Sequence, residues 1–204
     1  MFVAIEGLDG VGKTTLVNAL AEHYEGEAAN TPGPLLRRLT GPILDALGDN
    51  QTARCLFYAA SVLSEGNRAR KAADRGSVVF MDRYWLSTIA YARARGVSVD
   101  LSSLEAVVPV PDVTVLLTLE ETERLRRLDG RSVTDADMET LDHEFREAVL
   151  REMRCRTRAF GLQPVEVDVT GANESEAQRR VLAVLPYGID QLAQFRATGI
   201  RGGM

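Results

Sequence analysis

Residues 7–15 read GLDGVGKTT: spaced glycines, then a lysine and two hydroxyls. Gly7, Gly12, Lys13 and Thr14 fit the spacing G-x-x-x-x-G-K-[ST], in which a glycine-rich turn aims successive backbone N–H groups at phosphate oxygens. The glycines give the backbone the freedom such a turn needs, and a helix starting at Lys13 adds the positive end of its dipole. Lys13 is then the group that reaches the β- and γ-phosphates. Its residue type is informative, because of the 24 basic residues only Lys13 and Lys71 are lysines. A compact ammonium fits beside a phosphate where a planar guanidinium needs more room. Thr14 is placed to hold Mg2+, with Thr15 supporting the loop. The expected triphosphate site is Gly7, Gly10, Val11, Gly12, Lys13, Thr14 and Thr15. The competing interpretation is a glycine-rich βα turn that binds nothing.

A second cluster, Asp82-Arg83-Tyr84-Trp85-Leu86-Ser87-Thr88, follows the apolar run SVVFMD directly. At the carboxyl end of a parallel strand, where ligand crevices form, Asp82 would serve a metal or act as a base, and Arg83 would clamp a phosphate. The alternative is a surface ion pair that caps the next helix. Nine arginines lie between Arg124 and Arg158, most of them consistent with a solvated helix face. Phosphoryl transfer nevertheless needs positive charge around the migrating group, and Leu8, Asp9 and Val11 of the glycine-rich loop bring none.

Positioning these groups requires strands that end at one edge. Phe2–Glu6, Ser77–Asp82, Val113–Leu119 and Val165–Val169 are short, apolar and β-branched, as strands buried on both faces are, with a weaker candidate at Glu27–Asn30. Helices are expected over Lys13–Tyr24, about Leu35–Leu47, Gln51–Asp74, Trp85–Arg95, Glu121–Leu128, Asp135–Phe160 and Glu174–Leu185. A further one is expected after Pro186. This alternation predicts a three-layer α/β fold with a parallel sheet flanked by helices, and the 204 residues fit one domain. A net charge of −5 argues against nucleic-acid or anionic-membrane partners. Cys55 and Cys155 lack metal-ligand spacing and suit a reducing compartment. No leader or membrane-length apolar run is evident, so the expected location is cytoplasmic. Trp85 is expected to be a pocket wall or core anchor, and His23 and His143 to do no chemistry.

EGLDGVGKTT together with DRYWLSTIAYARARG resembles the thymidylate kinase family of nucleoside monophosphate kinases. The resemblance implies a P-loop NTPase fold with five parallel strands and a helical lid over about 124–140. It also implies ATP as phosphoryl donor, Mg2+ held by Thr14 and Asp82, a small-molecule acceptor and a homodimer. By it, Asp9 approaches the acceptor's sugar hydroxyl and the metal shell, Arg83 the acceptor phosphate, and Tyr91 the sugar face. Phe57 would stack on the base, with Ser87 in the same acceptor set. Arg127 and Arg131 stand where the lid begins, with Gly130 as hinge between them, and VDVTGANESE resembles the loop around the donor adenine.

Departures from the family pattern lie on the acceptor side. Ala29-Asn30-Thr31-Pro32-Gly33-Pro34 replaces T-R-E-P-G-G, Asp135-Ala136-Asp137 replaces the lid's D-R-x-E, and Ser61 and Val62 stand where a base-reading arginine is expected. A base carbonyl left unpaired costs about 1–3 kcal/mol, which predicts a roughly 5- to 150-fold loss in kcat/KM on dTMP. Three activities fit: a nucleoside monophosphate kinase with an altered acceptor pocket, a kinase for the hydroxyl of a nucleoside or other small metabolite, and a nucleotide-dependent switch.

Overall fold

The computed structural model describes residues 1–129, 138–156 and 164–186. Strands β1 (Phe2–Gly7), β2 (Glu27–Asn30), β3 (Val79–Asp82), β4 (Val113–Thr118) and β5 (Val165–Asp168) alternate with helices. The helices are α1 (Lys13–His23), α2 (Pro34–Leu47), α3 (Gln51–Asp74), α4 (Trp85–Ala94), α5 (Ser102–Glu105), α6 (Glu121–Asp129), α7 (His143–Arg156) and α8 (Glu174–Leu182). All strand pairs are parallel, in the order β2-β3-β1-β4-β5.

β1 is the central strand, and every one of its residues is buried. Its alternation feeds two cores. Val3 and Ile5 pack with Leu16, Leu20, Val115 and Leu117 on one face. Phe2 and Ala4 pack with Val79, Met81, Trp85 and Ile89 on the other. The chain leaves β1 toward β3 and β2 on one side and toward β4 and β5 on the other, so the order reverses at β1. In an open parallel sheet the ligand crevice forms beyond the carboxyl ends at that point. The register Ile5↔Asp82 brings the end of β3 beside the glycine-rich loop.

Several expected boundaries shift for physical reasons. The weak candidate Glu27–Asn30 is a strand, because pairing with β3 supplies what its composition lacks. β3 begins at Val79, whose N–H donates to Met1 O at 2.8 Å. The single long helix expected over Asp135–Phe160 is interrupted: a turn precedes His143, and Asp142 Oδ1 caps the new helix by accepting from Phe145 N at 2.7 Å. The helix expected after Pro186 lies outside the described residues, as do the remaining parts of the Asp135–Phe160 span. Trp85 is a core anchor, 1 % exposed. Among the described residues no helix is long and apolar enough to cross a membrane.

Candidate active site

The glycine-rich loop joins β1 to α1 with Gly7 at φ 139°, Gly10 at φ 88° and Gly12 at φ 97°. At Gly7 a side chain is excluded twice over, by this φ and by Leu117 O, 2.6 Å from where a Cβ would stand. Gly12 precedes the first residue of α1, so the helix N-terminus opens into the loop. Lys13 is buried, and its Nζ donates to Leu8 O at 2.7 Å, folding the ammonium back over the loop. Burial and the Arg83 guanidinium pull its pKa down to about 8, against the pull of Asp9, Asp82 and Glu6. A cavity of about 620 Å3 covers this loop, lined by residues 9–16 and reaching Arg127, Ala172 and Asn173.

Thr14 Oγ1 donates to Asp82 Oδ2 at 2.5 Å. The other carboxylate oxygen, Asp82 Oδ1, is buried and has no hydrogen-bond partner among the described residues. The Thr14 hydroxyl and a carboxylate with one unpaired oxygen are hard-oxygen donors suited to Mg2+, an ion that takes one or two protein oxygens and completes its shell with phosphates and water. Among the described residues no group of three or more His, Cys, Asp or Glu side chains is placed to hold a metal.

Asp9, Arg83 and Tyr91 meet beside the loop. Arg83 pairs with Asp9, a residue 74 positions away, and its Cζ lies 5.2 Å from the Tyr91 ring centroid. Tyr91 OH donates to Asp9 Oδ2 at 3.1 Å. Burial alone would raise the Asp9 pKa, but the charges of Arg83 and Lys13 and these hydrogen bonds hold it well below the usual carboxylate range. Burial pushes the Tyr91 phenol up to about 12. Arg83 itself has φ 62°, a left-handed conformation that L-residues with long side chains seldom adopt. Such strain persists only where surrounding structure over-determines it.

Glu6 does much of that determining, although its place at the end of an apolar strand gives no sign of it. Its carboxylate accepts from Tyr84 N at 3.1 Å, Leu86 N at 3.0 Å, Ser87 N at 3.2 Å and the Ser87 hydroxyl. A buried carboxylate thus caps the start of α4 and fixes the turn that carries Arg83. Burial raises its pKa, against the hydrogen bonds from Ser87 and Tyr84 and the charge of Arg83. Ser87, expected on the acceptor, donates its hydroxyl to Glu6 and also lines a second, smaller cavity.

A smaller cavity of about 240 Å3 opens on the other side of Asp9 and Arg83. Its wall from α3 is Gln51, Cys55 and Tyr58, spaced i, i+4 and i+7 as one helix face requires. Tyr58, not the expected Phe57, therefore faces the cavity, while Phe57 lies outside the lining and packs against Tyr58 with ring centroids 5.2 Å apart. Ser61 and Val62, which stand where the resemblance places a base-reading arginine, are fully buried and line neither cavity. Asp9, Arg37 and Arg83 line both cavities. Arg37 was not anticipated; only its position, just beyond Thr31-Pro32-Gly33-Pro34, hints at it.

Arg127 stands over the loop. Its Nη1 would be 3.5 Å from a Cβ on Gly12, and its Nη2 bonds Glu123 Oε1 at 2.5 Å and Ala172 O at 3.3 Å. Arg131 and Gly130 lie outside the described residues. Arg124, also unanticipated, is fully buried and donates to Asp9 O at 3.1 Å, Thr140 O at 2.8 Å and Glu121 Oε2 at 2.7 Å. It ties α6 to the back of the loop.

A family model described as thymidylate kinase matches residues 5–176. A protein of Thermococcus onnurineus named "Probable thymidylate kinase" is 32% identical over 205 residues, covering 88% of this chain and 100% of that protein. The "Thymidylate kinase" of Cereibacter sphaeroides (strain ATCC 17029 / ATH 2.4.9) is 31% identical over 205 residues, covering 91% and 94%. The fold also matches the crystal structure of thymidylate kinase from Ehrlichia chaffeensis, with a TM-score of 0.68 at 21% identity over 91% of this chain and 98% of that one.

Proposed function

Because this chain belongs to the thymidylate kinase family, a family that transfers the γ-phosphate of ATP to a nucleoside monophosphate, we propose that the larger cavity holds the ATP phosphates and that the smaller one holds dTMP. The observation that carries this reading is the shared wall: Asp9, Arg37 and Arg83 line both cavities. A γ-phosphoryl group in the first and an acceptor phosphate in the second would meet there. In-line transfer needs that juxtaposition, with positive charge around the migrating group.

Roles follow from position. Lys13 and the N–H groups of the loop bind the donor phosphates. Arg127, between Val11 and Ala172, adds charge on the donor side. Thr14 and Asp82 would hold Mg2+, which neutralises charge between donor phosphates when bound. Arg83 and Arg37 hold the acceptor phosphate, and Asp9 orients Arg83 and Tyr91. Two arginines at the junction favour a phosphorylated acceptor over a bare hydroxyl and offer a switch nothing to do.

The test is ADP release over dTMP, dUMP, dCMP, dGMP and thymidine. The expected order puts dTMP first and leaves thymidine inert. Thymidine turned over as efficiently as dTMP would return the reading to a hydroxyl kinase.

A pH dependence also follows. Lys13 has a pKa near 8 in the free protein, depressed chiefly by burial. As pH rises through about 8 it loses its charge, so kcat/KM for ATP falls there, because that parameter reports the free enzyme. Bound phosphates favour the ammonium, so kcat at saturating ATP holds to higher pH. Parallel pH profiles of the two parameters would contradict this assignment.

A further inference from the structure

We propose that Gln51 and Arg95 together read the acceptor base, and that they select a base presenting a carbonyl beside a ring N–H, as thymine and uracil do, over cytosine. The inference rests on the nucleoside monophosphate reading above and assigns the end of the acceptor cavity remote from the donor. Gln51, Tyr58 and Arg95 line the smaller cavity and not the larger, whereas Asp9, Arg37 and Arg83 line both. A monophosphate with its phosphate at the shared wall therefore points its base at Gln51 and Arg95.

Arg95 is held for this task. Glu139 takes its Nε at 3.0 Å and its Nη2 at 2.5 Å, and its Cζ lies 5.5 Å from the Tyr91 ring centroid. Nη1 keeps two N–H donors without an acceptor among the described residues. With its charge matched by Glu139, the guanidinium offers a fixed pair of donors to a neutral acceptor such as a base carbonyl.

Gln51 is the first residue of α3, anchored by Asn50, whose Oδ1 accepts from Ala53 N at 3.0 Å. Its Oε1 is buried without a donor among the described residues, an arrangement that is costly until a ligand N–H satisfies it. The two side chains divide the work by their chemistry. A glutamine amide turns over and can pair with the edge of thymine or of cytosine, since it carries both donor and acceptor. Arginine is a donor only and cannot pair with the exocyclic amine of cytosine. Arg95 thus sets the polarity that Gln51 alone would leave open, and losing a polar reader is where discrimination collapses.

The experiment measures kcat/KM for dTMP and dCMP in the wild-type protein, Arg95→Gln, Arg95→Met and Gln51→Ala. Wild type should prefer dTMP by at least about 10-fold. Arg95→Gln, which replaces a fixed donor with a reversible amide, should bring the dTMP/dCMP ratio toward unity. Arg95→Met should lower the same ratio through loss of dTMP alone. Gln51→Ala should lower kcat/KM for dTMP by roughly 5- to 150-fold, mainly in KM, with KM for ATP unchanged. Damage to the fold lowers both bases together, so the ratio is the readout. A ratio unchanged within about twofold in both Arg95 variants overturns the proposal while leaving the kinase reading intact. Thymidine in place of dTMP as the wild-type substrate, with a thymidine/deoxycytidine ratio that collapses in Arg95→Gln, would overturn the monophosphate reading and support this one.

Discussion

Lys13→Ala should lower kcat by about 10²- to 10³-fold at saturating ATP, the scale on which a single preorganised transition-state donor acts. Lys13 is 6 % exposed, and its ammonium lies against the loop that cradles the phosphates. Charge in such a water-poor site acts on phosphate oxygens with little screening, and the neighbouring Leu8, Asp9 and Val11 cannot replace it. The fold should not suffer. Burial depresses the Lys13 pKa to about 8, so keeping it charged at neutral pH opposes folding, and removing it should leave the unfolding temperature unchanged or raise it. Steady-state kinetics with thermal unfolding on the same preparation checks both halves. Near wild-type turnover would mean that the loop does not hold the donor.

Arg83→Lys is expected to lower acceptor kcat/KM by roughly 10- to 150-fold, since hydrogen bonds to charged groups contribute about 1.5–3 kcal/mol. The substitution keeps the positive charge, so its effect isolates geometry. Arg83 reaches Asp9 while lying against the Tyr91 ring, and only a planar fork can bridge a carboxylate, a ring face and a phosphate at once. A lysine there retains a point charge and loses the orientation of Asp9. Acceptor kinetics at saturating ATP, with thymidine measured alongside as a competitive inhibitor against dTMP, separates the effects. An equal weakening of dTMP use and thymidine binding would place Arg83 outside phosphate recognition.

The glycine-rich loop was legible because its chemistry is local. Three glycines, a lysine and a hydroxyl at fixed offsets dictate the backbone turn and the convergence of N–H groups. The strands were legible as near-continuous apolar runs, and Asp82-Arg83 followed because a parallel strand's carboxyl end opens on the crevice. The candidate strand Glu27–Asn30 was uncertain because an edge strand draws its stability from the neighbour it pairs with.

The contacts between distant segments emerge only in the folded chain. Arg83 meets Asp9 across 74 positions, and Arg124 meets Asp9 O across 115; no spacing rule relates them. Glu6 read as part of an apolar strand, and its role emerged only when α4 began directly over its carboxylate. The choice of Tyr58 over Phe57 was set by the rotation of α3. Burying Cys55, Ala59 and Val62 against the sheet turns Tyr58 into the cavity and Phe57 aside. A sequence fixes which residues can bind phosphate through its local backbone, whereas the residues that meet an acceptor depend on which face of each helix the core has already claimed.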